Sequence, residues 1–290
     1  MAGTWAMPDG AGQRKIRFDG QVAVVTGAGR GLGAAYARLL AARGAAVVVH
    51  DAGVAPDGSG FDATVADAVV RQIVERGGTA VACYENLESE AGCRQVVQLA
   101  ADRFQRLDML IHNAGLVIFA PMEGTDPIVW NRMVDLGIHA PFHLVQAALP
   151  HMKRQGYGRI VLTTSGRAMH LDGAAPGLVA YSIGKMAQLG LMVGLAAETR
   201  NVGIRINAIS PVAATRVLRR SAPDLLPEHV APAVVFLASS LCNFSGVVLR
   251  AAGGRFSTAW WCFSNGVDFG PVPVELEVIA ERWLDISKQT

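Results

Sequence analysis

The chain has 290 residues, which is enough for one large α/β domain or two small ones. Just over half of the residues are apolar and 17% are charged, a balance typical of a globular protein. The formal net charge of +2 gives no reason to expect binding to nucleic acid or to an acidic membrane surface.

The cysteines and the chain ends carry no sign of export or metal binding. Cys83, Cys93, Cys242 and Cys262 lack the spacing of a metal site, so we expect small core residues in a reducing compartment. The first residues lack a basic-then-apolar signal peptide, and the longest apolar runs look too short to span a bilayer. The last three residues, 288–290, are not a peroxisomal address. A cytoplasmic protein without a membrane partner is the expectation.

Short apolar runs alternate with segments of helical periodicity after an aperiodic leader over residues 1–15. A polar, glycine-rich insert occupies residues 52–62, after the second run. Predicted strands are 22–25, 46–49, 79–83, 109–112, 159–163, 205–209 and 247–250, and predicted helices are 31–43, 63–76, 89–104, 126–152, 179–201 and 227–239.

This alternation predicts the fold class. Buried strands joined through helices form a parallel sheet that is covered on both faces. We therefore predict α/β architecture, a single Rossmann-type doubly wound domain over residues 16–255. Residues 256–290 are less regular and form a predicted C-terminal extension that lines a substrate pocket or a subunit contact. Its adjacent Trp260 and Trp261 either pack or touch ligand.

A glycine-rich segment, Thr26 to Gly33, lies between the first strand and the first helix. Glycines there allow a tight turn and a close approach to a pyrophosphate, and the helix that follows presents free N–H groups. A glycine motif alone is also found in ordinary turns, but the strand–turn–helix context favours a dinucleotide. The predicted cofactor contacts here are Gly27, Arg30, Gly31, Leu32 and Gly33.

The end of the second strand bears on cofactor choice. Asp51 stands 18 residues after Gly33, where a carboxylate accepts hydrogen bonds from ribose hydroxyls and repels a 2′-phosphate. Arg30 argues the other way, because a guanidinium beside the glycine turn can pair with that phosphate. Since no basic residue directly follows Asp51, we expect NAD, with NADP as the alternative.

Tyr181 and Lys185 are four residues apart and lie on one face of a predicted helix. A free phenol has a pKa near 10 and is a poor base at neutral pH. A nearby ammonium and a cationic nicotinamide would both favour the phenolate. The pair therefore predicts a general acid or base, although the spacing alone is common by chance.

With these residues, the chain resembles the short-chain dehydrogenases/reductases from residue 16 to about 255. It is also similar to one branch of them, the (3R)-hydroxyacyl-CoA dehydrogenase unit of peroxisomal multifunctional enzyme type 2 and its bacterial stand-alone relatives. The branch likeness rests on residues 17–20, 47–62, 76–82, 151–153, 157–160 and 230–232 and on the tryptophan pair. The family likeness rests on Thr26 through Gly33, Asn113-Ala114-Gly115, Ser165, Tyr181 with Lys185, and Asn207 followed by Ser210-Pro211.

The resemblance implies roles for further residues. Ser165 would polarise the substrate oxygen, Tyr181 would exchange its proton, and Lys185 would bind the nicotinamide ribose and lower the pKa of Tyr181. The remaining cofactor contacts that it implies are Asn86, Leu87, Asn113, Ala114, Gly115, Pro211, Ala213 and Thr215.

The chain departs from the family pattern at three places. Ser165 lies 16 residues before Tyr181, where the family usually has 13, so we expect a longer loop over residues 172–179 and keep Thr164 as the alternative. Asn86 stands where the family has a carboxylate against adenine. Gly137 stands where the family has an asparagine that supports a water-linked proton relay, and we hypothesise that its backbone carbonyl serves instead.

The predicted function is oxidoreduction between a secondary alcohol and a ketone, with a 3-hydroxyacyl-CoA or a lipid- or steroid-derived substrate. Arg216, Arg219 and Arg220 could meet CoA phosphates or remain solvated. The alternatives are a hydroxysteroid dehydrogenase, a 3-oxoacyl-carrier-protein reductase, or a catalytically impaired nucleotide-binding regulatory protein. The scattered histidines predict no metal site, although His170 is close enough to Ser165 to touch substrate. A homodimer or homotetramer is implied by the resemblance.

Overall fold

The computed structural model describes residues 15–214, 223–259 and 261–288. Eight strands form one sheet in these ranges; seven of them overlap the predicted apolar runs, and the eighth was not predicted. The strands are β1 (Val22–Thr26), β2 (Ala46–His50), β3 (Thr79–Cys83), β4 (Met109–His112), β5 (Gly158–Thr163), β6 (Ile204–Val212), β7 (Val248–Ala252) and β8 (Arg255–Ala259).

The helices connect these strands and follow the predicted order. A π-helical turn at Asp135–His139 joins two of them, and 3₁₀ turns occupy Met122–Gly124 and Leu171–Gly173. The helices are α1 (Gly31–Ala42), α2 (Thr64–Glu75), α3 (Glu90–Phe104), α4 (Pro127–Val134), α5 (Ala140–Gln155), α6 (Gly166–Met169), α7 (Val179–Glu198), α8 (Pro227–Leu237), α9 (Leu276–Glu281) and α10 (Trp283–Ser287).

Local sequence explains where two helices that flank the site begin. The Ser89 hydroxyl accepts a hydrogen bond from the Gly92 amide at 3.0 Å and caps α3. Asp126 caps α4 through the Ile128 amide at 2.7 Å, and Pro127 occupies the first helical position.

The strand order is β3-β2-β1-β4-β5-β6-β7-β8, and the pairs from β3 to β7 are parallel. Thr26 at the end of β1 pairs with His50 on one side and with His112 on the other. The chain order changes direction between β1 and β4, which is the place where an open α/β sheet leaves a crevice for ligands. This confirms the single Rossmann-type α/β fold predicted from the sequence.

The prediction of one continuous helix over residues 126–152 was wrong. The helix is interrupted by the π turn at Asp135–His139 and then runs on to Gln155. A side chain on Gly137 would begin 2.9 Å from the Cα atom of Gly184, so the turn lies in close backbone contact with α7. Hydrophobic periodicity does not report such a local change of helical winding.

The prediction that the last strand ends at Arg250 was also wrong. Strand β7 continues to Ala252, and Gly253 and Gly254, both with positive φ, turn the chain into β8. Two consecutive glycines are a strong hairpin signal because each adopts a left-handed conformation at little cost.

The chain divides into two compact units, Met1–Thr258 and Ala259–Thr290. The second unit contains α9 and α10, and the Ser264 hydroxyl donates a hydrogen bond to the Ile286 carbonyl. The unit begins three residues later than the predicted extension, because β8 belongs to the sheet. A role for the extension in a substrate pocket or a subunit contact stays a prediction.

Helix α7 is long and apolar enough to cross a membrane, judged by length and composition alone. The expectation that every apolar run is too short was wrong for this helix. One third of its most apolar window is buried inside the fold, and it carries the buried polar side chains Lys185 and Gln188. Core helices of soluble proteins pass the same test, so the composition of α7 is weak evidence for a membrane span.

Candidate active site

A cavity of about 1180 Å³ opens at the carboxyl ends of the parallel strands. It exceeds the roughly 300–1,000 Å³ of common ligand sites, so it can hold a dinucleotide together with a substrate. Thr215 lies outside the described residues, and Gly33 lies just behind the lining. The predicted residues that line the cavity are Gly27, Arg30, Gly31, Leu32, Asp51, Asn86, Leu87, Asn113, Ala114, Gly115, Ser165, Tyr181, Lys185, Pro211 and Ala213.

The glycine turn is shaped by two close approaches of backbone. Gly27 has φ +61°, and a side chain there would begin 2.9 Å from the Cα atom of Ala114. A side chain on Gly33 would begin 2.1 Å from the Gly27 carbonyl oxygen, so Gly33 serves the packing of α1 against the turn. The residue before α1, Arg30, provides no side-chain cap, which leaves the first N–H groups of the helix facing the cavity. This cradle fits a pyrophosphate.

Asn113 and Thr26 hold that turn from below. The Asn113 amide nitrogen donates to the carbonyl oxygens of Thr26, at 3.2 Å, and Gly27, at 3.0 Å. The Thr26 hydroxyl accepts the backbone N–H groups of Asn113 and Ala114, each at 3.1 Å. The Asn113-Ala114-Gly115 segment is therefore part of the support of the cofactor cradle.

Both carboxylate oxygens of Asp51 accept hydrogen bonds from the loops around it. One oxygen accepts the Gly29 amide at 2.9 Å, and the other accepts the Gly53 amide at 2.8 Å. The carboxylate lines the cavity where β2 ends. It can accept a ribose hydroxyl only alongside these two backbone donors.

The glycine-rich insert, residues 52–62, is tied to the rim of the cavity by Arg132. The Arg132 guanidinium donates to the Asp57 carbonyl at 3.1 Å and pairs with Glu88 at 2.9 Å. A side chain on Gly58 would begin 2.6 Å from a methyl group of Leu116, so the insert lies against the loop after β4. At the same rim Asn86 accepts the Glu88 amide at 2.9 Å, and buried Leu87 lines the cavity.

Tyr181, Ser165 and Lys185 meet in the middle of the cavity. The Lys185 ammonium lies 5.8 Å from the centre of the Tyr181 ring and donates to the Thr163 carbonyl at 2.8 Å. Ser165 caps α6 through the Arg167 amide at 3.2 Å, while the Thr164 hydroxyl is committed to the Lys185 carbonyl at 2.9 Å. The serine, rather than the alternative threonine, is the hydroxyl that interacts with Tyr181.

Burial controls the protonation of this pair. It raises the pKa of Tyr181, and the Ser165 hydrogen bond and the Arg167 charge lower it by less. Burial also lowers the pKa of Lys185 from its usual 10.5 to about 8. The expected depression of the tyrosine pKa by Lys185 is not observed, since Ser165 and Arg167 are the groups that lower it and burial outweighs them.

A second, very small cavity of about 10 Å³ lies beside Lys185 and the π turn. That volume is roughly the space of one water-sized sphere. Its lining includes Gly115, Gly137, Gly184 and Lys185. The geometry leaves room for the single water that the relay hypothesis needs at Gly137, and it leaves no room for a side chain on that residue.

His112, at the end of β4, faces the same region and was not selected from the sequence. Its Nδ1 lies 3.1 Å from the Thr26 hydroxyl, which already accepts two N–H groups and therefore donates to the ring. The proton then sits on Nε2, which is buried and makes no hydrogen bond within the described residues, although the backbone of Leu136 in the π turn lies near enough to raise the pKa of the ring. Burial, followed by the Lys185 charge, lowers the pKa of His112 to about 3.

The far end of the cavity, beyond Ser165, is lined by Arg167, His170, Ser210 and Arg250. His170 and Ser210 were named from the sequence, whereas Arg167 and Arg250 were not. Arg250 pairs in register with Ser210 across β6 and β7. The signal that could have identified Arg250 is a charged side chain within the apolar strand β7, opposite Ser210.

The comparisons identify the family. The short chain dehydrogenase family model matches residues 21–224. The chain belongs to this family. It is therefore an oxidoreductase that acts on CH–OH groups with a nicotinamide cofactor.

Two relatives match most of the chain. A peroxisomal multifunctional enzyme type 2 of Drosophila melanogaster is 36% identical over 94% of this chain and 46% of its own length. The chain thus spans about half of that relative. A short-chain type dehydrogenase/reductase of Mycobacterium tuberculosis is 34% identical over 92% of this chain and 94% of its own length.

Two solved structures share the fold. A short chain dehydrogenase from Mycobacterium avium superposes with a TM-score of 0.80 at 31% identity and covers 93% of this chain and 95% of its own. A metagenomic short-chain oxidoreductase in complex with NADP has a TM-score of 0.68 at 30% identity and covers 80% of this chain and 98% of its own.

Proposed function

We propose that the protein is an NAD-dependent dehydrogenase that interconverts a secondary alcohol and a ketone on a 3-hydroxyacyl or similar lipid-derived substrate. The observation that carries the proposal is the meeting of Tyr181, Ser165 and Lys185 in one cavity with a pyrophosphate cradle. The similarity to the type 2 multifunctional enzyme supports a hydroxyacyl thioester as the substrate class.

In this proposal, a bound nicotinamide supplies the carbon that accepts or gives the hydride. Ser165 donates a hydrogen bond to the substrate oxygen, and Tyr181 takes the alcohol proton during oxidation or returns it during reduction. Lys185, whose pKa burial lowers to about 8, passes the proton between Tyr181 and the small cavity at Gly137. The raised pKa of Tyr181 keeps the phenol protonated, which suits proton donation to the carbonyl oxygen during reduction.

The preference for NAD rests on Asp51, whose carboxylate lies in the cavity at the ribose end. Arg30 also lines the cavity and is the guanidinium that could pair with a 2′-phosphate. NADP remains the second candidate, since a similar structure was solved in complex with it.

We also propose a homodimer or homotetramer located in the cytoplasm. The support for an oligomer is the exposed apolar side chains on α7, which include Val179, Ile183 and Val193.

One assay tests the function. Purified protein is incubated with NADH or NADPH and with acetoacetyl-CoA, a bulky ketosteroid or a simple diketone, and reduction is followed by loss of absorbance. We expect turnover with NADH and the thioester. Faster turnover of the ketosteroid would favour a hydroxysteroid dehydrogenase, and faster use of NADPH would contradict the role given to Asp51.

The Tyr181→Phe variant tests the mechanism. It should keep NADH binding and lose about 10²- to 10⁴-fold in kcat, because it removes a general acid while leaving the ring in place. Full activity in this variant would contradict the mechanism. Tight NADH binding by the native protein without turnover of any ketone would instead favour a regulatory protein.

A further inference from the structure

The carboxylates that line the large cavity lie at its cofactor end, where Arg30 also lies. Its carboxylates, Asp51, Glu85 and Glu88, all follow β2 or β3. Arg250 lies on β7, which is five strands away from β2 in the sheet order. At about 4.8 Å per strand, the two ends are roughly 24 Å apart. The cofactor end is therefore acidic, and the far end lacks a lining carboxylate in the described part of the chain.

Hydrogen-bond donors converge at the far end, next to the catalytic serine. The position where a side chain on Gly166 would begin lies 3.8 Å from an Arg250 guanidinium nitrogen, 3.9 Å from the Ser210 hydroxyl and 4.0 Å from His170 Nε2. Gly166 directly follows Ser165, and neighbouring Cα atoms are about 3.8 Å apart. The donors thus lie within about one residue of the hydroxyl that binds the reacting oxygen.

The imidazole of His170 is oriented as a donor toward this point. Its Nδ1 accepts the Gly173 amide at 3.2 Å, which leaves the proton on Nε2. Nε2 is the ring atom that approaches Gly166, on which the Arg250 guanidinium also converges. Arg167 adds a second cation, since its charge acts on the buried Tyr181.

These cations are not neutralised within the described residues. The Arg167 and Arg250 guanidinium groups form no ion pair there, whereas Arg106 and Arg132 each pair with a carboxylate. Asp172 and Asp224 lie between Arg167 and Arg250 in the chain, and neither of them lines the cavity.

We propose that the far end binds an anionic group, a carboxylate or a phosphate, that the substrate carries close to its reacting carbon. Arg250 and His170 would be the specificity-determining residues, because a guanidinium pairs with two oxygens of either anion and the imidazole donates to a third contact. This inference rests on the proposed dehydrogenase function and narrows its substrate class, since it favours a small anionic 3-hydroxy compound over the CoA thioester that the likeness to relatives suggests. A hydroxyacyl-CoA carries its phosphates far from the reacting carbon, so it would satisfy these donors poorly.

The test compares matched alcohols with the full chain and NAD. The value of kcat/KM is measured for 3-hydroxybutanoate, its methyl ester, 3-hydroxybutyl phosphate and 3-hydroxybutanoyl-CoA. One of the two small anions should exceed the neutral ester by about tenfold or more, and which one does so separates carboxylate from phosphate. In Arg250→Gln that preference should fall about tenfold, so that the anion and the ester are used about equally, as expected for loss of a hydrogen bond to a charged group at an exposed position. Arg71→Gln, at an exposed site on α2 outside the lining, is the matched control and should keep the preference.

A binding measurement keeps the proposal testable if none of these alcohols is oxidised. The protein is loaded with NADH, and quenching of NADH fluorescence is titrated with acetoacetate, 3-oxobutyl phosphate and methyl acetoacetate. The proposal is supported if an anion binds more tightly than the neutral ester and if Arg250→Gln abolishes that difference. This result would hold even if the protein turned over none of the alcohols and the proposed function were wrong. Equal binding of anion and ester, or a preference for the CoA thioester that Arg250→Gln leaves unchanged, would overturn it.

Discussion

At the scale of single residues, the polar groups that hold the site differ from those that perform the chemistry. Thr26 and His112 lie at the ends of neighbouring strands, and their mutual hydrogen bond fixes which ring nitrogen carries the proton. His112 in turn faces the π turn through its buried Nε2. An imidazole held neutral in this way positions its neighbours and leaves Lys185 as the titrating cation of the site.

The buried imidazole makes the protein sensitive to acid. The pKa of His112 is about 3 in the folded state against its usual 6.5, so the unfolded chain binds more protons between these values. Stability should therefore fall as the pH drops from 6.5 toward 3, by up to about 5 kcal/mol from this residue. His112→Asn should lose stability at pH 7, by about 1–3 kcal/mol, because the Thr26 hydroxyl loses its acceptor.

Urea unfolding of the native protein and of His112→Asn between pH 7 and 4 measures this effect. The difference in unfolding free energy between the two proteins should narrow as the pH falls. His229→Asn changes a partly exposed imidazole and is the control, for which no narrowing is expected. Curves for His112→Asn that run parallel to the native curve would contradict the assignment.

Much of the candidate site was predictable from residue patterns. The glycine turn, Asp51 and the Tyr181–Lys185 pair are short motifs with a local chemical reason, and the structure places them in one cavity. His112 and Arg250 were not predicted, because their importance depends on neighbours that are distant in sequence. Arg250 is recognised only when β6 and β7 are placed side by side.

At the scale of elements, the contact between the π turn and α7 explains why residue 137 is a glycine. The two backbones meet at Gly137 and Gly184, and Lys185 is the next residue along α7. A larger side chain at either glycine must separate the two elements. The alternation of strands and helices was predictable from hydrophobic period, whereas this winding defect and the Gly253-Gly254 hairpin depend on local geometry.

The Gly137→Ala variant tests that contact. The new methyl group would lie 2.9 Å from the Gly184 Cα atom, so we expect a loss of about 1–3 kcal/mol in unfolding free energy. The value of kcat should fall as well, because Lys185 moves with α7. Gly137→Asn, which would restore the family's side chain, should behave no better.

Gly124→Ala is the matched control for this variant. Its methyl group would meet a ring carbon of Pro121 at an ordinary 3.6 Å. Stability and activity of the control should stay close to native values. Native stability in Gly137→Ala would show that the π turn can move away from α7 freely.

At the scale of the whole molecule, the outer face of α7 is the clearest candidate for contact with a second copy. Val179, Ile183 and Val193 lie within one stripe of the helix, and Val193 is 56% exposed. A Val193→Glu variant should shift the protein toward monomers in sedimentation velocity, because an ionised carboxylate is costly to bury in an apolar contact. Val74→Glu, at an exposed position on α2, should leave the distribution unchanged. If Val193→Glu formed the same oligomers as the native protein, any subunit contact would lie on another surface.

Asp51 has a consequence for attempts to change the cofactor. The same carboxylate that would discriminate between the dinucleotides also fastens the glycine turn, through Gly29, and the start of the insert, through Gly53. Replacing it with a neutral residue would therefore loosen the cradle for either dinucleotide instead of exchanging one for the other. Conversion to NADP use calls for a new cation on the insert while the aspartate stays in place.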